Sequence, residues 1–189
     1  RQPVMPAWLL TNTFYGQWLP GDERGSVTGV RDHRPDDPTS DKRIEHDLRG
    51  TATEPPRRGL ELSAIAQLKH APVECTPDMA ETLFRQFQET AAFRKRPPWA
   101  VAFMWNHMHM VVHAPDDPDP DRLLGDFKAY GSRALNRAFS PRDAGRWWTD
   151  KGSKRKLGDD ADVAAAIRYV AQEQPAPLLV WSLRDGRIV

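Results

Sequence analysis

The sharpest local feature of the chain is Asn106-His107-Met108-His109-Met110-Val111-Val112-His113. Side chains alternate faces along a strand, so His107 and His109 point the same way, about 7 Å apart, while Met108, Met110 and Val112 take the other face. Two imidazoles on one face can supply adjacent ligands to a single cation. A pair of ordinary surface histidines has the same spacing, and His113, further along that face, reads as a bystander. The second feature is Ile167-Arg168-Tyr169-Val170-Ala171-Gln172-Glu173-Gln174. Val163, Ala166, Ile167 and Val170 form the apolar stripe of a helix, which leaves Tyr169 to one side with its hydroxyl free of the core. Glu173 follows one turn later on the same flank. This spacing can set a phenolic nucleophile beside a third metal ligand. On the helix alone, a tyrosine capping the core edge and a solvated glutamate are the simpler reading.

The elements that must position these residues are marked by punctuation and periodicity. Ala7 to Tyr15 suits a strand, being rich in aromatic and β-forming residues. Periodicity then disappears from Gly16 to about Pro77, a stretch containing Arg34-Pro35-Asp36-Asp37-Pro38 and Pro55-Pro56-Arg57-Arg58-Gly59. That is too long for an ordinary connection and reads as an insertion within one domain, functional, partly disordered or interrupted by short elements. Thr76-Pro77-Asp78 marks a helix start, with a hydroxyl N-cap, proline at the first helical position and an acid at the positive end of the dipole. Met79, Leu83, Phe84, Phe87 and Ala91 continue at helical spacing. Trp99 to Trp105 and His107 to His113 read as two strands about a tight turn at Asn106. A helix begins near Asp119-Pro120 and carries Leu123, Leu124, Phe127, Leu135 and Phe139. A strand or irregular segment surrounds Trp147-Trp148-Thr149. A last helix runs from about Asp160 to Gln174, and Leu178 to Leu183 suits a closing strand. The order is that of the α+β, ferredoxin-like split βαβ fold, an antiparallel sheet with helices packed on it.

At 189 residues the chain has the length of one domain able to bury a real core, here 1–189 with 16–77 as an insertion of unknown role. One cysteine, Cys75, excludes an internal disulfide framework and any multi-cysteine zinc module. No apolar run approaches the roughly 20 residues of a membrane span, and Arg1-Gln2-Pro3 opens no secretory h-region. These features predict a soluble, cytoplasmic protein without a membrane partner; nucleoid association is what the family resemblance given below would add. The 27 Lys and Arg against 26 Asp and Glu predict no partner by themselves. Their distribution is more informative: Arg122 to Lys156 carries a local net charge of +7, directly after the acidic run Pro115 to Asp121. A site for a polyanion has this asymmetry, and so does a solvated helix face followed by a basic loop.

Taken together, the segments resemble the HUH single-tyrosine transposases of small insertion sequences, and among them the REP-associated tyrosine transposases. Met104-Trp105-Asn106-His107-Met108-His109 is similar to that family's strand-turn-strand histidine motif. Phe127 to Arg137 is similar to its basic middle helix, Trp148-Thr149 to the tryptophan segment that follows, and Arg168-Tyr169-Val170 through Gln174-Pro175 to its nucleophile helix. The likeness covers residues 78–180 and the first strand. It departs at Glu173, where the family often has Gln or Asn, which makes Gln172 a rival. It departs again in the long segment after Tyr15. The start of that segment, Tyr15 to Gly25, is similar to a stretch in larger relatives.

The resemblance implies a metal-dependent endonuclease and strand transferase acting on single-stranded DNA beside a hairpin. His107, His109 and Glu173 would hold a divalent cation, Mg²⁺ or Mn²⁺, and Tyr169 would attack phosphorus to give a 5′-phosphotyrosine. Arg168 is a nearby cation for activating the phenol. Tyr130, in the basic helix, is the competing nucleophile, but the family pattern places that residue in the later helix. Lys128, Arg133, Arg137, Arg146, Lys151, Lys154, Arg155 and Lys156 would meet DNA phosphates, while Trp147 and Trp148 would stack on unpaired bases or, at least one of them, pack in the core. The family includes both homodimers and monomers. A domesticated hairpin-binding protein without cleavage, and a metal-dependent phosphoesterase using water as nucleophile, are the alternative functions.

Overall fold

A computed structural model describes residues 6–25, 55–142 and 145–189. The chain forms two compact units, Trp18–Ala71 and the remainder, Arg1–Gln17 with Pro72–Val189. In the smaller unit the described residues comprise a turn-rich segment and helix α1 (Arg58–Ala66). Its turn closes on itself: Asp22 binds the Arg24 guanidinium through both oxygens, Arg24 lies over the Trp18 ring, and Trp18 Nε1 donates to Gly25 O. The proline- and aspartate-rich run at 34–38 lies outside the described residues.

The larger unit is an antiparallel sheet in the order β4-β1-β3-β2-β5-β6. Its strands are β1 (Ala7–Thr13), β2 (Pro98–Phe103), β3 (His107–His113), β4 (Ser153–Leu157), β5 (Leu179–Ser182) and β6 (Gly186–Arg187). Between them come α2 (Pro77–Arg94), α3 (Pro120–Phe139) and α4 (Asp160–Gln172). The order β4-β1-β3-β2 is the ferredoxin-like split βαβ arrangement; the β5–β6 hairpin extends it at the β2 edge, and α4 packs on one face. Helix starts follow the expected chemistry. Thr76 Oγ1 accepts from Met79 N, and Asp119 Oδ1 accepts from Arg122 N, each cap preceding a proline at the first helical turn.

Strand alternation divides the apolar residues between two faces. On one face Trp8, Leu10, Val101, Phe103, Met108, Met110, Val112 and Leu179 pack under α2 and α3 against Leu83, Phe87, Leu123, Phe127 and Leu135. Each large apolar side chain buried here contributes about 1.5–3 kcal/mol. The two helices approach closely at Gly131, where a Cβ would lie 3.0 Å from Leu83 Cδ2 and 3.1 Å from Phe87 Cε1. On the other face Ala7, Ala100, Ala102, Val111 and Val180 form a shallow floor for α4, which lays Ala166, Val170 and Ala171 onto it. His107 and His109 belong to this second face, so the small residues of β2 are what allow α4 to reach the histidine strand.

One element differs from expectation. The basic residues Lys154, Arg155 and Lys156 lie in a strand, β4, which pairs with β1 from Ala7–Leu157 to Thr11–Ser153. The segment around Trp147-Trp148-Thr149, expected as a strand or an irregular stretch, is irregular and makes a single bridge, Phe14 to Trp148. Ser-Lys-Arg-Lys-Leu has no apolar alternation because it forms an edge strand, where charged side chains are compatible with one-sided pairing and discourage further association. Among the described residues no helix is long and apolar enough to cross a membrane.

Candidate active site on the α4 face of the sheet

The site is assembled along one transverse row of the sheet. Thr11 in β1 pairs with His109 in β3 on one side and with Ser153 in β4 on the other, and His109 pairs in turn with Ala102 in β2. Residues directly opposite share a face, so Ser153, Thr11 and His109 stand side by side. His107, opposite Thr13, stands two residues along. The imidazoles of His107 and His109 meet edge to face, with Nε2 atoms 3.2 Å apart. Each has a partner on Nδ1: Asn106 Oδ1 lies 2.6 Å from His107 Nδ1, and Thr11 Oγ1 lies 2.7 Å from His109 Nδ1. His113 is apart from them, stacked on Trp99.

Helix α4 delivers the third group. Val170 and Ala166 are buried against the sheet, which turns the neighbouring Tyr169 sideways toward the strand, its ring edge-on to His109. The Tyr169 hydroxyl is 3.4 Å from His109 Nε2, and the residue is 38% exposed, so the phenol touches the imidazole and is still open to a ligand. His109 is itself buried. Burial first, and the neighbouring His107 second, pull its pKa down to about 3, which keeps the imidazole neutral at ordinary pH.

The residues expected to complete the site are not all brought to it. Glu173 is the C-cap of α4, half-exposed, and its carboxylate faces Arg168 at 3.6 Å. The helix ends at Gln172, so the side chain one turn beyond Tyr169 is already leaving the sheet. Gln172 is exposed. Among the described residues no group of three or more His, Cys, Asp or Glu is assembled that could hold a metal ion. The two imidazoles alone do fit one. Bonds of about 2.0–2.1 Å separate two nitrogens on a common cation by about 2.9 Å at an octahedral angle and about 3.4 Å at a tetrahedral one; the observed 3.2 Å lies between.

The expected nucleic-acid contacts also divide. Trp147 and Trp148 are both buried: Trp148 stacks on Phe14 with ring centroids 4.7 Å apart and donates to Lys128 O, and Trp147 donates to Asn136 Oδ1. They are core residues with satisfied indoles, closed to base stacking. Asp117 and Asp121 of the acidic run pair with Lys156 and Lys154, so much of the apparent charge asymmetry is neutralised in place. Arg137 donates to Gln86 Oε1, Arg146 pairs with Asp150, and Arg133 lies over the Tyr130 ring. Lys151 is exposed at positive φ. Arg155 differs from its neighbours. It sits opposite Leu9, itself opposite Val111, and therefore on the histidine face. Among the described residues no hydrogen bond or ion pair engages its guanidinium.

Lys128 has a structural role that its sequence context concealed. Its ammonium donates to Thr149 O at 2.7 Å, Lys151 O at 2.9 Å and Asn12 Oδ1 at 3.3 Å, tying α3 to β1 and the approach to β4. Desolvation lowers its pKa to about 8, outweighing the attraction of Asp150, which raises it. Replacing Lys128 with Met leaves three acceptors without their donor and is expected to cost about 1–3 kcal/mol of stability. Urea denaturation would show this as a lower midpoint.

Sequence reasoning missed two residues of the site, Thr11 and Asn106. The signal for Asn106 was adjacent to the motif itself; Thr11 is 98 positions from His109 and only strand pairing brings them together.

No protein-family model matches the chain, and no curated protein matches it. Among solved structures the chain is similar to a REP-associated tyrosine transposase bound to a REP hairpin, with a TM-score of 0.45 and 11% sequence identity. The match covers 88% of this chain and 65% of that one, so this chain spans less than two thirds of that protein's length.

Proposed function

We propose that the protein is a metal-dependent single-stranded DNA endonuclease and strand transferase that cleaves beside a hairpin through a covalent tyrosine intermediate. The observation that carries this reading is the phenol of Tyr169 held 3.4 Å from His109 Nε2, itself 3.2 Å from His107 Nε2, on the α4 face of the sheet. The sequence resemblance to single-tyrosine HUH enzymes supplies the substrate class. His107 and His109 would hold Mg²⁺ or Mn²⁺, and the imidazole donors favour Mn²⁺. Glu173, the expected third ligand, would have to leave Arg168 to join them. The cation supplies charge neutralisation at the scissile phosphate.

The chain's own residues do the rest. Tyr169 Oη forms the bond to phosphorus, the phenolic proton leaves, and the bond to the 3′ oxygen breaks, giving a 5′-phosphotyrosine and a free 3′-hydroxyl. A neutral phenol is a weak nucleophile; a cation held by the imidazole pair beside its hydroxyl, or the nearby Arg168, would favour the phenolate. Since the phosphotyrosine keeps the phosphoester bond, a second 3′-hydroxyl can reverse the step and join strands. Arg155 stands two strands across and two residues along from His109 on the same face, about 12 Å away, a distance suited to a neighbouring phosphate rather than the reacting one.

The direct test is incubation with Mg²⁺ or Mn²⁺ and labelled hairpin DNA from the protein's own genomic flanks, resolved on a denaturing gel. A covalent adduct supports the reading. Cutting without an adduct favours a phosphoesterase using water. Binding without cutting favours a domesticated hairpin binder, the outcome that the Glu173–Arg168 pair would then explain. A second measurement separates the cations. Replacing Arg155 with Ala is expected to weaken DNA binding and reduce the slope of log affinity against log salt by about one, with thermal stability unchanged. Replacing Lys156, which is paired with Asp117, is expected to change that slope less.

A further inference from the structure

We propose that the β1–β4 side of the site holds the DNA strand that leaves Tyr169: Arg155 and Ser153 bind a backbone phosphate just upstream of the scissile bond and retain the strand that ends in the freed 3′-hydroxyl. The inference rests on the proposed reading of Tyr169 as nucleophile and adds the direction in which the strand crosses the sheet.

One row of residues crosses this face, from Ser153 in β4 through Thr11 in β1, His109 in β3 and Ala102 in β2 to Val180 in β5. Its two ends differ. Ala102 and Val180 are buried together with Ala166, Val170 and Ala171 of α4. Thr11 and Ser153 are half-buried. Tyr169 therefore reaches His109 from the covered end, and at this level the part of the face left for a strand lies over β1 and β4. Attack at phosphorus places the entering and leaving oxygens roughly in line. As the bond from Tyr169 Oη to phosphorus forms, the bond to O3′ breaks on the far side, and the phenolic proton ends on O3′ by way of solvent. With the phenol on the β2 side of the imidazoles, O3′ departs toward β1 and β4.

That direction carries the polar groups suited to a phosphate. Ser153 is two strands, about 10 Å, from His109. Among the described residues no hydrogen bond engages its hydroxyl. Arg155 follows on the same face of β4, about 7 Å along the backbone, near enough for its long side chain to share one phosphate with the serine. The strand is divided by function: Lys154 and Lys156 pair with Asp121 and Asp117, whereas the Arg155 guanidinium is left for a ligand. Beyond Arg155 the chain enters α4 through Asp159, Asp160 and Asp162. These carboxylates disfavour a polyanion, so the DNA leaves over the β4 edge. Holding the 3′-hydroxyl end beside the phosphotyrosine raises its effective concentration for the reverse step, which favours strand joining over loss of the cut end.

The test uses the full chain and hairpin DNA from its genomic flanks, with the cut position mapped from the adduct on a denaturing gel. Single neutral methylphosphonate linkages are placed at successive positions on either side of that bond, and affinity is measured with Tyr169→Phe protein, which does not cut. One linkage just upstream is expected to weaken binding about 10-fold, the weight of one hydrogen bond to a charged group. Adding Arg155→Ala should remove that sensitivity, Ser153→Ala should blunt it at the same position, and Lys156→Ala should leave it intact. In cutting reactions with Tyr169 present, Arg155→Ala should release the labelled upstream fragment faster and rejoin less of it per adduct formed. If Arg155→Ala removes sensitivity at a downstream linkage, the direction is overturned. If it changes sensitivity nowhere, the assignment of Arg155 is overturned, and the reading of Tyr169 stands on its adduct. No adduct with the wild-type protein overturns that reading and this inference together.

Discussion

Replacing Tyr169 with Phe is expected to abolish the covalent protein–DNA adduct, a loss of at least about 10³-fold to the floor of the assay, while hairpin affinity stays close to wild type. The substitution removes one oxygen and nothing else of size. The phenol is 38% exposed and its hydroxyl makes one long contact, 3.4 Å to His109 Nε2, so the stability lost should not exceed about 1 kcal/mol. No other atom of the side chain can form the bond to phosphorus. The same gel run with Tyr130→Phe discriminates between the two candidate nucleophiles. Tyr130 is on α3, whose buried face packs on the opposite side of the sheet from the histidines, and its ring is covered by the Arg133 guanidinium. Tyr130→Phe should therefore keep the adduct. An adduct that survives Tyr169→Phe and disappears with Tyr130→Phe would overturn the site while keeping the chemistry.

The contrast between these two tyrosines shows what was legible before the structure. Strand alternation alone put His107 and His109 on one face and Met108 and Met110 on the other. The helical stripe of Val163, Ala166, Ile167 and Val170 put Tyr169 off the core. Those are local periodicities, and local periodicity survives folding. The residues read less well are those whose role is set by long-range pairing or by the end of an element. Lys128 lies in a run of basic residues, yet its ammonium is taken up by carbonyls from a segment more than twenty positions later. Trp147 and Trp148 were expected to stack on bases or, at least one of them, to pack in the core; both are buried, and nothing in their neighbourhood announces Phe14 and Asn136 as partners. Glu173 has the right spacing from Tyr169 on an ideal helix, but the helix stops one residue before it. The β4 strand was invisible because an edge strand rich in charge carries no alternation. Once its register is known, alternation returns with consequences: Lys154 and Lys156 face α3 and the acidic run, and Arg155 faces the histidines.

That same edge strand depends on a residue with no side chain, and substituting it is expected to be the most destabilising single change near the site. Gly152 sits at φ 132°, a conformation that residues with a Cβ rarely adopt, immediately before β4. A Cβ there would lie 2.3 Å from Asn12 Oδ1, 2.7 Å from Leu124 Cδ2 and 2.9 Å from Thr11 O. The last of these is backbone and cannot yield without moving β1. The first belongs to the buried Asn12, whose oxygen also accepts from Lys128. Gly152→Ala therefore combines backbone strain with overpacking, each of about 1–3 kcal/mol, for a total of about 2–6 kcal/mol. Thermal melting or urea titration would measure it, and a loss below about 1 kcal/mol would show that β4 can separate from β1 at little cost. The effect should reach the chemistry, because Thr11 is the residue displaced and its hydroxyl holds His109. Below the melting transition the variant is expected to bind Zn²⁺ more weakly than wild type, whereas Gly186→Ala, where a Cβ meets open space beside β6, should leave that affinity unchanged despite its own positive φ. Equal Zn²⁺ affinity in Gly152→Ala and wild type would mean that the β4–β1 junction does not position the histidines.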